Sequence, residues 1–100
     1  MRRTLTIARA TVAPGRDAEY LALVAELAQL VRGEGRRFWV FRNAADPLEF
    51  VEFREGTGGW PIRRLAGERR LEQRLRELAL YDETADEMWN EVPLADRPVA

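Results

Sequence analysis

The sequence predicts a single α+β domain of order βαββαβ, with a four-stranded antiparallel sheet carrying both helices on one face. Three observations carry this. Residues 4–12, TLTIARATV, are β-branched and apolar and stop at Pro14-Gly15, as a strand entering a turn does. The stretch after Asp17 repeats apolar side chains at helical spacing. Residues 36–43 and 48–55 form two runs of bulky side chains about the turn Ala44-Ala45-Asp46-Pro47, the pattern of a hairpin.

In the first strand Leu5 and Ile7 point one way, and Ala8, Ala10 and Val12 the other. Asp17 opens the first helix as its N-cap or as an acid in its first turn. Tyr20, Leu21, Val24, Leu27, Ala28 and Val31 make one apolar stripe, and Gly33 and Gly35 end it. Strand two, 36–43, sets Phe38 and Val40 against Trp39 and Phe41. Strand three, 48–55, sets Leu48 and Phe50 against Val51 and Phe53. A sheet with one wet face alternates apolar with polar residues. These strands do not, so both of their faces are expected to be covered.

GTGGWP at 56–61 reads as a loop, and Pro61 suits the first turn of a second helix over 61–80, with Gly67 as a kink or break. Leu71, Leu75 and Leu78 form its stripe. Glu72 and Arg76 are spaced as an i,i+4 pair worth a few tenths of a kcal/mol. MWNEV, 88–92, reads as a short fourth strand before Pro93. The core then spans 4–94, with 95–100 as a tail. This order is the ferredoxin-like arrangement. Two helices cover one face, and the economical cover for the other is a second copy of the chain. Phe38, Val40, Phe50 and Trp89 are the candidate contacts of such a homodimer.

Composition restricts the chemistry. One hundred residues suit one domain. The chain has no His, Cys, Ser or Lys, and all sixteen basic residues are arginine. Ser-His and Cys-His nucleophiles, Schiff-base lysines and imidazole or thiolate metal ligands are thereby excluded. Asp, Glu, Tyr20 and Tyr81 remain for proton transfer. The net charge of −1 offers no field for nucleic acid. It is unevenly spread, with six arginines in 63–76 and six acids in 77–91. No apolar run approaches the roughly 20 residues of a membrane span. The start lacks a secretory pattern, so the expected location is the cytoplasm. Neither a cofactor nor a metal is expected. GTGG lacks the lysine of a phosphate loop, and Asp82-Glu83 with Asp86-Glu87 could at most place Glu83 and Glu87 on one helical face.

TIARATVAPGRDAEYLALVAELAQLV resembles the opening of the dimeric α/β-barrel proteins, the group around antibiotic-biosynthesis monooxygenases, and FRNAADPLEFVEFRE resembles their central hairpin. The resemblance is good over residues 4–55 and weak after them. It implies a ferredoxin-like protomer that pairs through its free sheet face into a barrel. Haem-degrading members use an Asn late in strand one, a Trp ending strand three and a His in the second helix. Those positions fall near Ala8 and Gly56, and the chain has no His, so the resemblance does not imply haem degradation.

Trp39, Trp60 and Trp89 are large amphipathic side chains suited to stacking on a flat ligand or to filling a core or interface. Arg9, Asn43 and Arg42 are polar groups on or beside strands. Buried, they would need a protein acid or a ligand carboxylate. Arg63, Arg70 and Arg74 lie close on a helical wheel, as a solvated or ion-paired face or as a stripe holding an anion. The ligand-pocket candidates are Trp60, Trp39, Asn43, Arg9, Tyr20 and Tyr81, for a small apolar or aromatic molecule. Two functions fit: a small-molecule-binding or structural homodimer without catalysis, or a cofactor-independent monooxygenase acting on an aromatic or polyketide-like substrate.

Overall fold

In a computed structural model of the chain, residues 3–57 and 65–94 are described, the side chains of 83–86 excepted. The elements are β1 (Arg3–Val12), α1 (Asp17–Arg32), β2 (Arg37–Arg42), β3 (Glu49–Thr57), α2 (Glu68–Leu78) and β4 (Ala79–Asn90). The strands form one antiparallel sheet in the order β2-β3-β1-β4. This is the expected ferredoxin-like order, with β2 and β4 at the edges.

The register sorts every strand by face. Ile7 stands opposite Phe53, which stands opposite Trp39, while Ala10 stands between Phe50 and Tyr81. Helices cover the face carrying Ala10, Val12, Phe38, Phe50, Glu52 and Ala79. The stripe residues Tyr20, Val24, Leu27 and Val31 of α1, and Leu71, Leu75 and Leu78 of α2, complete its core. The other face carries Leu5, Ile7, Trp39, Phe41, Val51, Phe53 and Trp89. No element of this chain covers it among the described residues. Trp39 stacks on Phe53 at 5.8 Å and Phe41 meets the same ring edge-on at 5.4 Å. Phe41 remains 56% and Trp89 55% exposed.

Two elements differ from their sequence expectation. The described second helix begins at Glu68, and Gly67 is its N-cap, where φ of 86° suits a glycine. It runs to Leu78 and turns without a linker into β4, whose Ala79 already has extended backbone. The fourth strand is therefore Ala79–Asn90 and not 88–92. Its acidic middle, DETADE, has weak strand propensity. The strand pairs with β1 on either side of that segment's centre, through Ala79–Asp82 and Glu87–Asn90, while 83–86 fall in the register shift between Ile7 and Arg9 and have no partner in the ladder. Because 82–87 is strand, the helical pairing of Glu83 with Glu87 does not arise. Residues 58–64, with Trp60 and Arg63, and 95–100 lie outside the described residues.

A buried ion pair ties the turn after α1 to the start of α2. Arg36, 5% exposed at its side chain, donates to both oxygens of the fully enclosed Glu68 at 2.8 and 2.9 Å. It also reaches Glu34 at 2.6 Å. Glu68 accepts the Leu65 backbone N–H at 3.0 Å as well. The Glu68 contact, foremost, holds the Arg36 guanidinium even more firmly protonated than usual, against the opposing effect of burial.

Candidate functional site

Between sheet and helices a polar cluster sits among apolar side chains. β3 places Phe50, Glu52 and Arg54 on the helix-covered face by simple alternation. Glu52 is fully buried. Tyr20 from α1 and Tyr81 from β4 both donate their hydroxyls to its Oε2 at 2.6 Å, short contacts typical of a phenol on a carboxylate. Arg54 donates to Oε1 at 3.3 Å and, through its other terminal nitrogen, to Glu72 of α2 at 2.9 Å. Its guanidinium lies over the Phe38 ring at 4.9 Å. Arg76 lies over the Tyr81 ring at 5.0 Å.

Burial first, and then the neighbouring Glu52 charge, push both phenols well above the ordinary tyrosine range. Arg54 opposes this and does not win. Both hydroxyls stay protonated and act as donors. Tyr20 is enclosed, its ring tilted against Phe50 at 4.8 Å. Tyr81 is half-buried. Of the two phenols, it is the less enclosed.

Structure and sequence agree unevenly over the candidates. Tyr20 and Tyr81 meet at one carboxylate oxygen. Arg9 and Asn43 come together at the hairpin end of the uncovered face, lining a pocket of about 200 Å³ with Phe41 and Glu49. Asn43 spends its side-chain oxygen on the Ala45 N–H at 2.7 Å. Arg9 is exposed and not inside the layer. Trp39 lines a different cleft, at the outer edge of β2. Phe38, Val40 and Phe50, expected at a dimer interface, sit instead on the helix-covered face, where the first and last are buried core. Trp89 is on the uncovered face. Arg42 pairs with Asp17 at 3.3 Å, and Arg74 with Glu19 and Glu77 at 2.9 and 2.7 Å. Glu52 and Arg54 were not singled out as site residues from sequence. Alternation from the core residue Phe50 was the signal that could have found them, because it points two charged residues inward. Among the described residues no group of three acids, His or Cys could hold a metal ion, and no helix is long and apolar enough to cross a membrane.

With this geometry in view, comparison with known proteins gives a consistent fold. No family model and no curated protein sequence matches the chain. Solved structures do. SnoaB, a cofactor-independent oxygenase from Streptomyces nogalater, superposes with a TM-score of 0.68 at 16% identity over 97% of this chain and 100% of that one. A candidate antibiotic biosynthesis monooxygenase from Bordetella bronchiseptica gives 0.65 at 19% identity, over 95% and 100%. A conserved protein from Methanosarcina mazei gives 0.66 at 17% identity, over 91% and 92%. The chain thus shares the ferredoxin-like fold of these structures. At these identities the likeness establishes the fold.

Proposed function

We propose that the protein acts as a homodimer that binds a small aromatic molecule in the layer between sheet and helices, with Tyr20, Glu52 and Tyr81 as the polar wall of the site. The supporting observation is a carboxylate enclosed among apolar side chains and held by two phenols. Stability alone does not call for such a group. Apolar side chains of similar volume commonly serve a core as well or better. A wall of this kind hydrogen-bonds a ligand hydroxyl, while Phe38, Phe50 and the leucines of α2 exclude water. The homodimer reading rests on the uncovered face, where the apolar side chains of Phe41 and Trp89 are exposed. No bound cofactor is part of the proposal.

Cofactor-independent oxygenation is the second reading, favoured by the hydrogen bond from Tyr81 to Glu52. An aromatic ketone with an acidic ring methylene would lose a proton to the Tyr81 oxygen as the Tyr81 proton moves to Glu52. The relay is needed because this phenol does not ionise alone. The carbanion would reduce O2, and the resulting hydroperoxide would lose water to leave a carbonyl. Overall CH2 and O2 become C=O and H2O. Native mass spectrometry in the presence of a tricyclic hydroxyaromatic ketone tests the binding and the dimer together. A mass of two chains plus ligand is expected, and a bare single-chain mass would refute the proposal. An oxygen electrode then separates the readings, since oxygen uptake abolished by Glu52→Gln belongs only to the second.

A further inference from the structure

The cleft at the outer edge of β2 is separate from the interior cluster and differs from it in charge. It has a volume of about 530 Å³ and lies between the last turns of α1 and the start of β2. Ala28 and Gly35 line it alongside the rings of Phe38 and Trp39. Its charged lining consists of Arg32, Arg36 and Arg37, with no carboxylate among the described residues. Arg36 is engaged with Glu34 and Glu68. Arg32 and Arg37 are exposed and form no ion pair within the described part of the chain. Glu55, across the strand pair from Arg37, is paired with Arg3 at 3.5 Å. The Arg37 guanidinium lies 5.6 Å from the centre of the Trp39 ring, within the range of a cation–π contact.

Arg32, in the last turn of α1, already suits the negative end of that helix. Arg37 has no such role. Two arginines at the mouth of a cleft with an aromatic wall give the two halves of a planar organic anion their complements. Guanidinium groups bind a carboxylate or phosphate in a bidentate fork, and the indole face takes a flat ring.

We propose that this cleft is a second ligand site, which takes a planar aromatic anion bearing a carboxylate or phosphate group. The anionic group sits between Arg32 and Arg37 and the ring lies against Trp39. The site uses no residue of the interior cluster, but Trp39 stands on the sheet face assigned above to the second copy. The site therefore needs the β2 edge to stay clear of that copy, which the sedimentation below tests.

Calorimetric titration of the full chain with 2-naphthoate, 2-naphthyl phosphate and neutral 2-naphthol tests it. Both anions are expected to bind, naphthol much more weakly, and binding should weaken between about 50 and 500 mM salt as screening grows. Arg32→Gln and Arg37→Gln should each weaken the anions by roughly tenfold, the loss expected for one hydrogen bond to a charged group. Arg16→Gln, whose side chain pairs with Glu19 elsewhere on the surface, should leave binding unchanged. All three positions are exposed, so folding is retained, and circular dichroism verifies it. Both probes are anions, naphthyl phosphate carrying about −1.5 to −2 at neutral pH against the single charge of naphthoate. Their relative affinities, compared at high salt where the charge difference is screened, identify which headgroup the arginines prefer. Binding of naphthol as tight as that of the anions would overturn the proposal. So would anion binding unchanged in both Arg→Gln variants, or no binding by the native protein at millimolar ligand. Sedimentation of the same variants supplies one more refutation: loss of dimer without loss of anion binding would assign the cleft to a second copy.

Discussion

Alkaline pH isolates the interior cluster because of what the chain lacks. With no Lys, His or Cys and two tyrosines, only Tyr20 and Tyr81 titrate between about pH 9 and 11. The terminal amine is already neutral there and the arginines remain charged. Both phenols are raised in the folded protein, chiefly by burial and then by Glu52. The unfolded chain therefore releases these protons near pH 10 while the native state keeps them. Fewer protons bound in the unfolded state means that stability falls as pH rises. The stabilisation is complete below about pH 10 and is lost above it. Each retained proton costs about 1.4 kcal/mol per pH unit, so the pair costs about 2.7 kcal/mol between about pH 9 and 11. That is a large share of a typical domain's roughly 5–15 kcal/mol, and it would lower the urea midpoint by about 1–3 M. Urea melts at fixed protein concentration, which holds any association constant, measure the loss. Absorbance at 295 nm measures phenolate directly. Tyr20→Phe and Tyr81→Phe should each halve the pH dependence. Native phenolates appearing with a midpoint near 10, or a urea midpoint that does not move over this pH range, would refute the cluster as described.

Three further outcomes are expected. Leu75→Ala removes an enclosed side chain under α2 and should cost about 2–5 kcal/mol in urea melts, whereas Leu80→Ala, at a solvent-exposed site, should stay within about 0.5 kcal/mol. Arg36→Ala should cost about 3–5 kcal/mol by stranding Glu68, and Arg36→Met combined with Glu68→Leu should recover most of that. Phe53→Asp puts a charge at the middle of the uncovered sheet face and should turn a dimeric sedimentation profile into a monomeric one, with circular dichroism unchanged.

The sequence revealed most where periodicity was uninterrupted. The α1 stripe and the opposed faces of β2 and β3 appear in the structure, except that Leu48 falls in the turn before β3. Which β2–β3 face lay beneath the helices was not decidable from apolar patterning, since both faces carry Phe. That is why Phe38 and Phe50 were expected at an interface and are found in the core. The polar residues decide it: Glu52 and Arg54 need donors and acceptors that only α1, α2 and β4 supply. β4 was legible only at its end, because its two halves, Ala79–Asp82 and Glu87–Asn90, are held by ladders to β1 on either side of an acidic stretch that has no partner there. Such long-range pairing leaves no local pattern.

Two buried glutamates in this small domain have opposite meanings. Glu68 receives both terminal nitrogens of Arg36 and a backbone N–H from Leu65. A bidentate guanidinium brings its own countercharge and a fixed geometry, and a ligand has no means of replacing it. Glu68 is a clamp. Glu52 receives two neutral phenols at its Oε2 and a longer contact from Arg54 at Oε1. A neutral hydroxyl is exchangeable: a ligand phenol offers the same donor at the same distance, so replacing Tyr81 by a ligand leaves the bond count at Glu52 unchanged. Tyr81 is also the half-buried one of the pair. A hydroxylated aromatic ligand should therefore bind Tyr81→Phe at least as well as the native protein, because the vacated acceptor is offered to it. It should bind Glu52→Gln more weakly, because the acceptor then lacks charge. The opposite order of affinities would make Glu52 a packing residue like Glu68 and leave the interior without a site.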